Sequence, residues 1–281
     1  MENIAVITDA TSSGYWFPRW YDYYSNQFGA QSIFVITYRG RASEFRDYKL
    51  GGILELPCEY NDQSRVQFIS SFAQTLLGEF DVLVRVDVDE FLVADPEKHS
   101  SLRDFICRNS QEYVTPIGVE IIERRGETPL VFGKPLIKDQ RSHALVSSAL
   151  NKTSITRIPL KWGYGFHSTT LSPNIDCDLY LFHTKFCDMA QRMAWVDEMI
   201  SKSEGGSPDR RYFEGQLRTH TQNQSWIYGL TVDADWSKII QEARIEEFTD
   251  SANAHAAPNK VGTFFHGKTA FIIPEKFRAV F

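Results

Sequence analysis

The sequence predicts an α/β protein with a mostly parallel central sheet and helices on both of its faces. Three observations lead there. Short apolar runs at 4–8, 33–37, 53–56 and 82–86 alternate with helix-period segments over the first 93 residues. The runs are nearly all apolar rather than alternating, which marks strands buried on both faces. Strands separated by helices pair in parallel, because each crossover returns the chain in the same direction.

Taken in order, Ile4-Ala5-Val6-Ile7-Thr8 is the first strand, and a loop follows from Asp9 to Gly14. Phe17, Trp20, Tyr24 and Phe28 recur at helical spacing and stop at Gly29. Ile33-Phe34-Val35-Ile36-Thr37 and Ile53-Leu54-Glu55-Leu56 are the next strands. A second helix follows Asp62, with Val66, Ile69, Ala73, Leu76 and Phe80 on one face. The fourth strand, 82–86, completes a doubly wound, Rossmann-like half. Ser101-Leu102-Arg103-Asp104 reads as a capping box that opens a helix burying Leu102, Phe105 and Ile106. Residues 113–182 read as strands and loops, including 117–122 and 178–182. A helix over 186–200 carries Phe186, Met189, Met193, Val196 and Ile200 on one stripe and stops at Gly205-Gly206-Ser207-Pro208. The polar and aromatic remainder (Trp226, Trp236, Phe264, Phe265) holds one helix, near 234–248.

Composition narrows the function. The 281 residues are 42% hydrophobic and carry a net charge of −6, which argues against a general nucleic-acid partner, since phosphate binding rests on a basic surface. The N-terminus lacks a signal-peptide pattern, and no apolar segment approaches the roughly 20 residues of a membrane span. A cytoplasmic protein is expected, with peripheral membrane association left open. Cys58, Cys107, Cys177 and Cys187 are widely spaced, as expected of reduced thiols rather than disulfides or a zinc site. In that compartment the sequons at Asn151 and Asn223 are accidental.

The chemistry centres on Asp81-Val82-Leu83-Val84-Arg85-Val86-Asp87-Val88-Asp89-Glu90-Phe91-Leu92-Val93, where an apolar strand runs into three acids. Carboxylates buried at a strand end need compensation, and a divalent cation with hard oxygen ligands is the usual one. Open α/β sheets bind ligands at this carboxyl edge. Asp87 and Asp89, two apart on an extended segment, are expected to point to one side and hold one ion. The competing reading is a solvated acidic turn. His183 closes a strand and is expected at the same edge as Asp89, either as a metal ligand or as a half-buried strand-end histidine. Asp9 stands where such folds contact base or ribose, with capping or turn formation as its rival. Arg65 could reach phosphate or ribose, or be a solvated helix charge. His167 lies in the loop Trp162-Gly163-Tyr164-Gly165-Phe166, whose rings could shape a sugar pocket, or could simply pack on it. Glu120, an acid inside an apolar strand, is the candidate general base. Glu123 and Glu90 are the alternatives, and pairing with Arg124 or Arg125 is the structural reading.

The segment Arg85-Val86-Asp87-Val88-Asp89-Glu90-Phe91-Leu92 resembles the Asp-x-Asp-Glu-Phe signature of glycosyltransferases of the GT-A fold, in the family-2-like group. Asn151-Lys152-Thr153-Ser154-Ile155-Thr156-Arg157, Gly165-Phe166-His167 and Leu181-Phe182-His183-Thr184-Lys185 continue it by order and spacing. The resemblance implies a nucleotide-sugar-binding half at 1–95, an acceptor-binding and metal-completing half at 96–204, and a helical or loop appendage at 205–281. It implies transfer of a sugar from a nucleoside diphosphate sugar to a carbohydrate or lipid-linked acceptor, with Mn²⁺ or Mg²⁺ as cofactor. The site would comprise Asp87, Asp89 and His183 as ligands, with Asp9, Arg65, Asp87, Trp162, His167 and Lys185 as substrate contacts, beside Glu120, the general base suggested by its place in an apolar strand. His266-Gly267-Lys268 is similar to a C-terminal loop that closes over the diphosphate in other GT-A enzymes. Two departures stand out: Thr37-Tyr38-Arg39-Gly40 replaces the acids that contact the base in many relatives, and the Gln-x-x-Arg-Trp pattern of processive synthases is missing. A single-transfer enzyme fits better. The alternatives are a phosphoryl-transfer enzyme of the haloacid dehalogenase type and a non-catalytic carbohydrate-binding module. The first wants its acidic motif on the first strand, with Thr where this chain has Phe91.

Overall fold

The computed structural model describes residues 2–58, 60–131, 133–203, 205–206, 208–245, 259–260, 267–278 and 280–281. His266, Phe264 and Phe265 lie outside the described residues. The first half follows the expected order: β1 (Ile4–Asp9), α1 (Phe17–Phe28), β2 (Ile33–Tyr38), β3 (Gly52–Leu56), α2 (Asp62–Leu76) and β4 (Val82–Arg85). Then come β5 (Glu90–Ala94), α3 (Leu102–Arg108), β6 (Tyr113–Ile122), β7 (His143–Val146), β8 (Ile155–Thr156), β9 (Ser168–Thr169) and β10 (Ile175–Phe186). α4 (Met189–Lys202), α5 (Pro208–Gly229), β11 (Thr231–Asp233), α6 (Ser237–Ile245), β12 (Asn259–Lys260) and β13 (Thr269–Ile272) complete the described elements.

β1, β2, β3 and β4 pair in parallel in the order β3-β2-β1-β4. Every residue of β1 and of β4 is buried, as an apolar strand without alternation requires. The two sides of this sheet meet different helices. Val6, Val35, Val82 and Val84 pack with Phe17, Trp20, Tyr24 and Phe28 of α1. Ala5, Ile7, Ile36 and Leu83 pack with Val66, Ile69, Ala73 and Leu76 of α2. Each large side chain so buried contributes about 1.5–3 kcal/mol. α1 ends where Gly29 adopts φ 87°, and its N–H bonds Ser25 O at 2.8 Å.

The two-residue strand β8 joins the halves: it pairs antiparallel with both β4 and the start of β6. Further along, β6 pairs antiparallel with β7 and parallel with β10, and β10 pairs antiparallel with β5. β13 pairs with β7 and β11 with β13, so residues of the 205–281 segment extend the central sheet. The α/β class is as the sequence predicts, with helices on both faces of a mixed central sheet that is parallel throughout β3-β2-β1-β4.

Two helices differ from expectation. α4 starts at Met189 rather than 186, because β10 continues through Phe186, whose carbonyl accepts the Glu123 N–H at 2.9 Å. Asp188 is its N-cap and accepts the Gln191 N–H at 3.0 Å. The sequence pattern does not predict the 22-residue α5. Among its described side chains only Phe213 and Ile227 are buried, so it carries no continuous apolar stripe. No described helix is long and apolar enough to cross a membrane. All four cysteines are free thiols.

Candidate functional site

Because β1, β2 and β4 are parallel, their carboxyl ends deliver Asp9, Tyr38 and Arg85 to one edge. A cavity of about 1190 Å³ opens along that edge. This exceeds the roughly 300–1,000 Å³ of a site for one drug-sized ligand, and leaves room for two substrates. Asp9, Arg65, Asp87, Asp89, Glu120, His167, His183 and Lys185 all line it. Trp162 does not: it is buried in the α2-side core and donates its indole N–H to Thr153 O at 2.9 Å. The aromatic of that loop that reaches the cavity is Tyr164, 57% exposed.

The acidic motif is a turn rather than a strand extension. β4 ends at Arg85, and Glu90 N–H bonds Asp87 O at 3.1 Å. Asp87 and Asp89 therefore go to different partners instead of sharing one side. Asp87 Oδ1 accepts from Arg65 and Arg85, and its Oδ2 accepts from Lys152 Nζ at 2.8 Å. Lys152 also donates to Glu90 Oε1 at 2.5 Å, while Glu90 Oε2 accepts the Asp87 N–H at 2.9 Å. Asp9 belongs to the same network: its Oδ2 accepts from Arg65 Nε at 2.7 Å and Tyr38 Oη at 3.0 Å, and its Oδ1 from Arg85 at 3.3 Å. Burial disfavours the charged form of Asp87, but Arg85, Lys152 and Arg65 outweigh it and hold its carboxyl well below the usual range.

Phe166, buried in the α2-side core, covers two cations of this network. Its ring lies 3.1 Å from the Arg85 guanidinium carbon and 4.6 Å from that of Arg65. Gly165 and Phe166 both sit near φ +60°, and a side chain at Gly165 would meet the His167 ring at 2.6 Å. Phe166 is an unusual residue in that region, held there by its two cation contacts. Asp62 secures the turn, accepting the Gly165 N–H at 3.0 Å and Arg65 Nη1 at 2.9 Å. His167 Nδ1 lies 2.6 Å from Ala149 O; burial, with nearby Lys152, pushes its pKa down to about 3, so it is neutral.

The second cluster is Asp89, His183 and Glu120. The parallel register aligns His183 with Glu120. His183 Nδ1 sits 2.5 Å from Glu120 Oε2, and Nε2 sits 3.2 Å from Asp89 Oδ2. Burial opposes the imidazolium, yet the two carboxylates outweigh it and raise the His183 pKa to about 10. The other Glu120 oxygen accepts the Phe186 N–H at 3.0 Å, so both are engaged. In metal sites a ligating histidine characteristically gives its second ring nitrogen to a carboxylate, which fixes ring and tautomer. Glu120–His183 has that form, and His183 Nε2 and Asp89 Oδ2 converge, so an ion held there would take the place of the Nε2 proton. The donor set is one carboxylate oxygen and one imidazole nitrogen, a pair that suits a transition-metal ion better than Mg²⁺. No group of three or more His, Cys, Asp or Glu among the described residues could by itself hold an ion, so Asp89 and His183 would leave the remaining positions to water or substrate oxygens. Lys185 is half-buried, with its Nζ 6.0 Å from the Phe186 ring and no hydrogen-bond partner among the described residues.

Several site residues escape sequence reasoning. Arg85 has a visible signal, a cation inside a buried strand, which demands a buried anion. Lys152 stands in a segment that continues the resemblance, but nothing in the pattern names its partner 62 positions away, and Tyr38, whose partner is 29 positions away, has no signal. Arg192, on the unexpected α4–α5 wall, has none either.

No family model matches this chain, and no curated protein matches its sequence. Among solved structures it is similar to mannose-1-phosphate geranyltransferase from Thermus thermophilus, at 10% identity over 76% of this chain and 68% of that one, with a TM-score of 0.29. A likeness of that degree carries no argument about function.

Proposed function

We propose that the protein is a metal-dependent glycosyltransferase of the GT-A type, moving a sugar from a nucleoside diphosphate sugar to a carbohydrate or lipid-linked acceptor hydroxyl. The observation that carries this reading is the convergence of Asp89 and carboxylate-held His183 at the carboxyl edge of a parallel sheet, inside a cavity with room for two substrates. In the transfer the bond from the anomeric carbon to the diphosphate oxygen breaks. A bond to the acceptor oxygen forms, the acceptor proton passes to a base, and a nucleoside diphosphate leaves. Asp89 and His183 would hold Mn²⁺ or Mg²⁺, which when bound supplies Lewis-acid charge to the departing diphosphate. Lys185 meets the diphosphate as a cation with free donors. Asp87, with both oxygens bound to cations, fixes the turn that aims Asp89, and Asp9 and Arg65 brace that turn from β1 and α2. Glu120 stays at the reacting centre: it orients His183, and it serves as base only by releasing that bond.

Calorimetric titration with Mn²⁺ and a panel of nucleoside diphosphates tests the reading. The expected result is nucleotide binding that requires metal and is lost in Asp89→Ala with the melting temperature maintained. Metal-independent binding, or unchanged affinity in Asp89→Ala, refutes it. Saccharide binding without any nucleotide binding would instead identify a carbohydrate-binding module.

A further inference from the structure

We propose that the cavity wall formed by α4 and α5 is an acceptor subsite for a saccharide bearing an anionic group, a carboxylate or a phosphate, with Arg192 as the residue that binds the anion. This rests on the transferase reading and names its acceptor class.

Arg192 lines the cavity and is 6% exposed. Its guanidinium lies 4.8 Å from the Phe186 ring, and one Nη donates to the Gln216 side-chain oxygen on α5. Its Nε and other Nη are buried without a hydrogen-bond partner among the described residues. A buried guanidinium with unmade bonds is costly, and a planar oxyanion is the group that its fork geometry fits. The contrast with Arg65 in the same cavity is direct: Arg65 is ion-paired with Asp9, Asp62 and Asp87, whereas Arg192 makes no ion pair among the described residues. Burial lowers its pKa despite the opposing Glu120, whose oxygens are committed to His183 and Phe186.

The surroundings suit a sugar. Trp195 and Tyr212 line the cavity at 42% and 53% exposure, and both rest edge-on against buried Phe213, at 5.4 and 5.3 Å. Exposed rings supported from beneath offer stacking faces for a pyranose. Gln216, Thr219, Gln222 and Asn223 of α5 add neutral hydrogen-bonding groups to the same wall. Arg192 belongs to this helical wall rather than to the strand ends that carry Asp89 and His183, which assigns its anion to the acceptor and not to the donor diphosphate.

The test titrates the protein with glucuronate, glucose 6-phosphate and glucose, each with and without UDP and Mn²⁺. The two anionic sugars are expected to bind roughly 10- to 100-fold more tightly than glucose, the range of a charged hydrogen-bonded contact. Arg192→Gln should remove that difference while leaving UDP–Mn²⁺ affinity unchanged, and Trp195→Ala should weaken all three sugars alike. Gln216→Glu gives Arg192 an internal carboxylate and should also abolish the preference, so the proposal is tested even if Arg192→Gln does not fold. Equal binding of all three sugars, or a preference that survives both variants, overturns it. Displacement of the anionic sugars by UDP–Mn²⁺ also overturns it, because the anion would then belong to the donor site. Anion preference without metal-dependent binding of any nucleoside diphosphate in the panel leaves this subsite standing and removes the transferase reading instead.

Discussion

Lys152→Met probes the charge network most directly. Lys152 is 5% exposed and bridges Asp87 Oδ2 and Glu90 Oε1, and Glu90 is wholly buried. The network counts four carboxylates (Asp9, Asp62, Asp87, Glu90) against three cations (Arg65, Arg85, Lys152), and among the described residues Lys152 is the only cation paired with Glu90. Removing the lysine leaves one uncompensated charge where water does not reach Glu90, a loss of about 3–5 kcal/mol. At about 2–4 °C per kcal/mol for a chain of this size class, the melting temperature should fall by roughly 6–20 °C. Urea unfolding of Lys152→Met, Glu90→Gln and the double variant measures it. The double variant should recover much of the loss, since the neutral amide no longer needs the ammonium. A shift in Lys152→Met under about 1 kcal/mol, or a double variant no more stable than Lys152→Met, would refute the account of Lys152 as the buried counter-charge of Glu90.

Two further outcomes follow from the geometry. His183→Ala and Glu120→Gln should each weaken Mn²⁺ binding by roughly 10- to 100-fold in a direct titration, as losses around a metal ligand do; if Glu120 also acts as base, turnover of Glu120→Gln at saturating Mn²⁺ should fall by about 10²- to 10⁴-fold with donor binding retained. Gly118→Ala would press a methyl into Leu150 Cβ and set it 2.7 Å from Ser147 O, next to the segment that carries Lys152. It should cost about 1–3 kcal/mol or more by urea unfolding, and a neutral result would contradict that packing.

Much of the fold is legible in the sequence because its cause is local. Burial on both faces makes β1, β2 and β4 continuous apolar runs, and Gly29 and Ser101 mark helix ends by backbone and capping chemistry. The helix expected over 186–200 starts three residues late because Phe186 satisfies a helical stripe while its backbone belongs to β10. α5 is invisible in the pattern because its partner, the Val196–Met199 side of α4, asks it for one buried residue, Phe213. Trp162 reads as a pocket ring because aromatic-glycine loops suit sugars. In the fold its indole faces the α2-side core, and Tyr164 takes the cavity side.

The site divides in the same way. The sequence alone determined that acids would stand at the end of the fourth strand, near His183 and Glu120, since strand order and hydrophobic pattern set which edge they reach. Only the tertiary structure decided how they pair. A turn after Arg85 sends Asp87 into Arg65, Arg85 and Lys152, while Asp89 meets His183, and Glu120 becomes the support of that histidine. The reason is electrostatic: a buried carboxylate takes whichever cation the packing brings within hydrogen-bond reach. Those cations come from positions as far as 65 and 76 residues away, a distance over which sequence pattern carries no pairing information.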